Sequence, residues 1–247
     1  MRPINDKVSA MQRANSAVGR DIAHHLHPYT NLLKHESEGS LVITRGEGVH
    51  IFDESGREYI EAMAGLWCAA LGFGEERLVE AATRQLRQLP YYHVFNSKTH
   101  ELAGALAERL IGMMPVKMSK AFFNNSGSEA NDTAVKLVWY YNNALDRPRK
   151  KKIIARMRGY HGVTVATASL TGLAANHRAF DLPIANIRHA DCPHHYRYAK
   201  PGESEEAFAD RLAESLRAQI EREDPETVAA FLADPVMGQG GAILPPD

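Results

Sequence analysis

Three short stretches of this chain carry residue types that do chemistry. In F-F-N-N-S-G-S-E-A-N-D, Phe122 to Asp132, an apolar pair runs into Ser126-Gly127-Ser128 and then into the first turn of a helical pattern. The first N–H groups of a helix lack intrahelical partners and carry partial positive charge, and Gly127 removes the side chain that would hold an anion at a distance, so a phosphate fits there. Ser126 with Glu129 three residues on is also a capping box, which needs no ligand. Neither the Gly-Lys-Ser/Thr of a P-loop nor a G-x-G-x-x-G turn is present, so the stretch does not point to a nucleotide. The second stretch is R-G-Y-H-G, Arg158 to Gly162. A tyrosine and a histidine flanked by glycines after a strand suit an aromatic face stacked on a planar ligand, although Tyr160 also reads as an ordinary half-buried loop aromatic. In the third, A-D-P-V-M-G-Q-G-G-A-I-L-P-P, Asp234 ends a strand and a Gly-rich loop follows. An acid at a strand's C-terminal end can face a ligand crevice, and the glycines can equally shape a plain turn.

These stretches need elements to position them. Residues 1 to about 40 read as a polar, irregular N-terminal arm, and G-V-H-I-F-D-E-S-G-R-E-Y-I-E-A as two short strands about the turn Glu54 to Arg57, part of a small subdomain over 41–80. From Glu75 the period changes: Leu78, Ala81, Ala82, Leu86 and Leu89, then Leu102, Leu106, Leu110 and Ile111, follow helical spacing. Beyond them strand candidates at Ala121 to Phe123, Lys152 to Met157 and Val228 to Ala233 alternate with helical segments. One of these carries Ala130, Ala134, Leu137, Val138 and Tyr141 on one face, and another runs over Glu205 to Glu221. Strands separated by helices imply an α/β domain over 81–247 with a mainly parallel sheet flanked by helices.

Composition excludes several functions. With 247 residues, 44% of them hydrophobic, and a net charge of −1, the chain has a sizeable core and no global field for nucleic acid or an anionic membrane. No run approaches the ~18 apolar residues of a membrane span, and the first 16 residues have no apolar stretch of signal-peptide length, so a soluble cytoplasmic protein is expected. Cys68 and Cys192 fit a reduced chain and read as small buried hydrophobes. The run R-P-R-K-K-K, 147–152, reads as a solvated lead-in to a strand. No metal is expected: His24, His25 and His27 have no thiolate or carboxylate at ligand spacing, and H-A-D-C-P-H-H, 189–195, reads as one loop.

N-S-G-S-E-A-N-D, R-G-Y-H-G and the Asp234 stretch, in this order and preceded by M-A-G-L-W-C at Met63 to Cys68, resemble the class III aminotransferases, closest to the ω-amino acid:pyruvate branch. The resemblance covers nearly the whole chain from His27 onward. It implies fold type I, pyridoxal 5'-phosphate as cofactor, and transamination from an ω-amino acid or amine to pyruvate or a similar keto acid. By position Ser126, Gly127 and Ser128 resemble the phosphate ligands, Tyr160 the residue stacked on the ring with His161 beside it, and Tyr29, Trp67 and Phe95 an aromatic substrate wall. Asp234 stands where the family usually has Glu, one methylene shorter. The family's Schiff-base lysine and the Asp that pairs with the ring nitrogen lie beyond the segment ending I-L-P-P, so the chain resembles the N-terminal half of such an enzyme, truncated and inactive alone. A homodimer is expected for the full-length protein. A mutase or decarboxylase on the same scaffold, or a non-catalytic pseudoenzyme or interaction fragment, are the other readings.

Overall fold

The computed structural model describes residues 15–246, so the first part of the expected N-terminal arm and residue 247 lie outside the described residues. The chain divides into two compact units, Met1–Glu101 and Leu102–Asp247.

The first unit begins with helices where an irregular arm was expected. Ser16 caps α1 (Ala17–His24) by accepting the Gly19 N–H at 3.0 Å, and Asn31 caps α2 (Leu32–Glu38) by accepting that of Lys34 at 3.1 Å. The expected hairpin forms between β2 (His50–Asp53) and β3 (Glu58–Ile60), and β1 (Ile43–Glu47) adds a third antiparallel strand beside β2. β1 has no apolar alternation; it is held by pairing, with the Arg45 guanidinium 3.6 Å above the Phe52 ring. Asp53 pins the turn by accepting from Ser55 N and Oγ, Arg57 N and Tyr59 Oη at 2.6–3.0 Å. Those donors, Ser55 foremost, hold its carboxyl down at about 2. A short turn, α3 (Ala64–Trp67), and the expected amphipathic helix α4 (Glu76–Gln88) complete the unit. Cys68, after α3, is exposed rather than buried because the turn lies on the unit's surface; Cys192 is buried as expected.

In the second unit α5 (Glu101–Met113) and α6 (Gly127–Ala144) precede β4 (Lys152–Arg156); then follow α7 (Val165–Leu170), β5 (Ile187–Ala190), α8 (His195–Tyr198), α9 (Glu205–Arg222) and β6 (Val228–Phe231). The sheet is parallel in the order β5-β4-β6, with Ile153 opposite Ile187 and Ile154 opposite Phe231. Ile153 and Ala155 pack with Val135 of α6, Leu170 of α7 and Ile187 of β5, while Ile154 points to the other face. On that face Leu212 and Leu216 of α9 line a cleft with Arg156 and Phe231.

Four expectations change here. Ala121 to Phe123 forms no strand: it gains no ladder partner among the described residues, and Phe122 stays 72% exposed. On α6 the buried face is Val135, Trp139 and Asn142, not Ala130, Ala134, Leu137 and Tyr141. The sheet selects the face whose Trp139 indole donates to Lys151 O and whose Asn142 amide donates to Val138 O, both at 2.9 Å. The basic run is not simply solvated, since Arg149 pairs with Asp224, Lys151 Nζ donates to Asn143 Oδ1 at 2.6 Å and Lys152 meets Glu223 at 2.8 Å. The 189–195 stretch is likewise not one loop: His189 belongs to β5 and its Nε2 donates to Leu170 O at 3.1 Å, while His195 opens α8.

Candidate functional site

Three chain segments meet beyond the C-terminal ends of β4 and β6. The start of α6 is the first. Ser126, extended at φ −150°, ψ 160°, accepts the Glu129 N–H at 3.1 Å, and the Glu129 carboxylate accepts from Asn125 N at 2.8 Å, so the cap forms as a local device. The N–H groups of Gly127 and Ser128 have no hydrogen-bond partner among the described residues, and a Cβ on Gly127 would meet nothing within 4 Å. An open approach to two unpartnered amides at the start of an 18-residue helix is what a small anion needs.

The second segment, Arg158 to Val163, follows β4. Val163 N donates to Ser128 Oγ at 3.0 Å, and Asn131 Nδ2, one turn into α6, donates to His161 O at 2.8 Å. Gly162 sits at φ +137° between Ser128 and Thr167, with no room for a side chain. His161 is buried; its N–H donates to Thr171 Oγ1 at 2.9 Å, and its Nε2 has no hydrogen-bond partner. Burial holds the His161 imidazole below its ordinary pKa, against the opposite pull of Asp234.

Asp234, three residues beyond β6, supplies the third. Its Oδ2 accepts the Tyr160 N–H at 3.2 Å and its Oδ1 lies 3.5 Å from His161 Nδ1. Its carbonyl takes Arg156 Nη1 at 3.4 Å, and burial lowers the Arg156 guanidinium's pKa while Asp234 raises it. The Gly-rich loop is more than a turn: Arg158 Nε donates to Gly240 O at 2.9 Å, and a Cβ on Gly240 would stand 2.3 Å from Arg158 O.

Ser126, Gly127, Ser128, Tyr160, His161 and Asp234 therefore share one hydrogen-bonded cluster in the second unit. Tyr29, Trp67 and Phe95 lie exposed in the first. Trp67 is carried by a turn in which Ala64, Gly65, Leu66 and Trp67 all have φ between 48° and 65°, a left-handed conformation that costs about 1–2 kcal/mol per non-Gly residue. Sequence reasoning missed Asn131 and Thr171 as residues that fasten the cluster, while the close backbone approach expected of the flanking glycines holds at Gly162. For Asn131 a signal existed, since it stands one helical turn past Gly127. The unpartnered amides, the half-buried Tyr160 and the orphaned His161 Nε2 fit a group that carries both a phosphate and a flat ring.

Known proteins resemble the chain over nearly its whole length. The family model described as aminotransferase class-III matches residues 33–247. A mitochondrial gamma aminobutyrate transaminase 1 from Solanum lycopersicum is 56% identical over 222 residues, 90% of this chain and 43% of that protein. A vanillin aminotransferase from Capsicum chinense is 52% identical over 233 residues, 94% of this chain and 50% of that protein. The crystal structure of the omega transaminase from Pseudomonas jessenii in complex with PMP superposes with a TM-score of 0.92 at 59% identity, over 94% of this chain and 51% of that one. The chain spans about half the length of the relatives it matches.

Proposed function

This chain belongs to the class-III aminotransferases, which depend on pyridoxal phosphate, and from that premise we propose that the whole protein moves an amino group from an ω-amino acid or amine to pyruvate or a similar keto acid. The observation that carries the reading is the bond from Val163 N to Ser128 Oγ, which fastens the anion-suited start of α6 to the turn bearing Tyr160 and His161.

Each residue's part follows from its bonding. The Gly127 and Ser128 amides donate to the phosphate, and Ser128, whose Oγ already accepts from Val163, keeps its hydroxyl proton as a further donor. Tyr160 offers its ring to the flat group, and Asp234 fixes that ring's backbone by accepting the Tyr160 N–H. His161, buried and held neutral near pH 7, keeps a second positive charge away from the site. Bound pyridoxal phosphate supplies the electron sink that makes proton removal beside the amino group feasible. Tyr29, Trp67 and Phe95 form the aromatic substrate wall of the whole protein, which acts as a homodimer; the exposed Tyr140 and Tyr141 on α6 support a further covering surface.

The lysine that bonds covalently to the cofactor lies, in this reading, outside the chain. Lys150, Lys151 and Lys152 stand at the opposite end of β4 from the cluster and are bonded to Pro225, Asn143 and Glu223, and Lys136 lies nine residues into α6, about 14 Å along its axis. The chain alone then holds the cofactor without turnover, an arrangement a non-catalytic interaction fragment would share.

The whole protein, given pyridoxal phosphate, pyruvate and a panel of amines that includes 4-aminobutyrate, is expected to form alanine. Cofactor binding without alanine from any donor would favour the non-catalytic reading. Borohydride treatment of the 247-residue chain with the cofactor is expected to label no single lysine; stoichiometric label on one lysine would overturn its placement outside the chain.

A further inference from the structure

The first unit holds a cluster that the cofactor site does not use. Asp21 lies on α1, His25 caps its C-terminal end one turn on, His27 follows, and α2 presents His35. Asp21 Oδ1 lies 3.0 Å from His25 Nδ1 and 2.9 Å from His27 Nε2, and Asp21 Oδ2 lies 3.3 Å from His35 Nε2. The His25 and His27 ring centroids are 4.3 Å apart and those of His27 and His35 are 4.5 Å apart. The lack of a carboxylate assumed for this histidine run therefore does not hold: Asp21 supplies one at i, i−4 from His25.

Hydrogen bonding among these groups does not account for the arrangement. The His35 side chain is 9% exposed, yet its Nε2 has no partner of hydrogen-bond geometry. A buried, unsatisfied imidazole nitrogen aimed at a carboxylate that already serves His25, His27 and Ser40 costs stability unless something else receives its lone pair. Charging the imidazoles does not relieve this, because three neighbouring rings would then repel. A cation that takes one lone pair from each ring and one from the carboxylate satisfies all four groups at once.

We propose that Asp21, His25, His27 and His35 bind one zinc ion that clamps α1 to α2. Three imidazoles and one carboxylate are a borderline-soft donor set suited to a d¹⁰ ion, and four protein ligands make a closed, structural site. With bonds of about 2.0–2.1 Å, ligand atoms of a tetrahedral site stand roughly 3.4 Å apart. The Asp21 contacts are close to that, and the ligand atoms of Asp21, His25 and His27 all lie within 4.8 Å of one another. His35 stands outside that mutually close trio, 3.3 Å from Asp21, so the four-ligand site requires a ring to rotate, and His25, whose side chain is 63% exposed, is free to do so.

The tag-free chain, dialysed against a chelator and titrated with ZnCl2 by calorimetry, is expected to bind one equivalent, and Co²⁺ in its place to give the intense visible bands of a tetrahedral centre. His35→Gln and Asp21→Asn are each expected to weaken zinc binding on the order of 100-fold. Absence of a one-equivalent isotherm, or binding unchanged in both variants, overturns the proposal. The Co²⁺ spectrum of the unsubstituted chain decides the matter if a variant fails to fold: octahedral, pale bands would also overturn it.

Discussion

Gly162 decides how close the two halves of the cofactor cluster can come. A methyl group there would stand 2.5 Å from both Ser128 Oγ and Thr167 Oγ1, and its φ of +137° is one that L side chains rarely adopt. Gly162→Ala is expected to cost about 1–3 kcal/mol and to push Ser128 away from Val163; thermal melts of the chain and cofactor titration of the whole protein measure the two effects. His161 carries the pH dependence. Burial holds its pKa below the ordinary 6.5, and His189 is lowered for the same reason. The unfolded chain therefore binds more protons than the folded one as pH falls below about 6.5, and stability drops through that window down to the folded-state pKa values. Urea titrations from pH 8 to 5 should show this slope, and it should shrink in His189→Gln; a flat profile would contradict the neutral, buried assignment. At this scale the sequence displayed Ser126 to Ser128, Tyr160 and Asp234 because each sits in a local pattern of turn residues. Asn131 left only its place one turn past Gly127 as a signal and Thr171 left none, since their bonds to His161 join residues 30 and 10 positions apart.

Among the elements, β4, β6, α9 and α4 were readable because each presents an apolar run or a helical stripe of its own. β5 was not: I-R-H-A carries two polar side chains, and it is a strand because Arg188 meets Glu223 at 2.8 Å and His189 reaches Leu170 O at 3.1 Å. α7, V-A-T-A-S-L, has poor helix formers, and its hydroxyls are bonded inside the unit: Ser169 Oγ donates to Val165 O at 2.7 Å and accepts from Ile184 N at 3.1 Å. α6 shows the opposite failure, in which the period was right and the face was wrong. Periodicity fixes that a helix is one-sided, but the partner decides which side, and here the β-sheet meets Val135 and Trp139. Val135→Ala is expected to lower the chain's stability by about 2 kcal/mol, whereas Leu137→Ala on the exposed face should stay within about 0.5 kcal/mol. Equal losses in denaturant melts would restore the face expected from the sequence. Phe208→Ala, which empties a fully buried site under α9, should cost about 3–5 kcal/mol in the same assay.

Over the whole molecule the two units differ in what holds them. Among the described residues of the first, Val18 is the one buried hydrophobic side chain, while Val135, Ile153, Ile154, Leu170, Ile187 and Phe208 are among the buried set of the second. The switch from strand-like to helical period at Glu75 was legible, but this inequality was not, because an apolar stripe does not reveal whether anything in the same chain covers it. α4 makes the point: Leu78 and Leu86 repeat at helical spacing and both remain exposed, as do Trp67 and Phe95. Helical stability in water comes chiefly from packing such a stripe, so a 13-residue helix left without it is marginal. The relatives are about twice this chain's length, and covering those stripes is the role we assign to the remainder of the whole protein and to the second subunit of the proposed homodimer. Hydrogen exchange separates the cases. In the 247-residue chain the amides of Ile153 to Ala155 and Ile187 should be protected while those of Glu76 to Gln88 exchange within seconds, and in the whole protein α4 should slow by orders of magnitude. The same uncovered surface predicts poor solubility for the chain alone. Equal protection of α4 in both forms, or a monodisperse chain that melts in one cooperative step, would show that the first unit is stable with the contacts it already has.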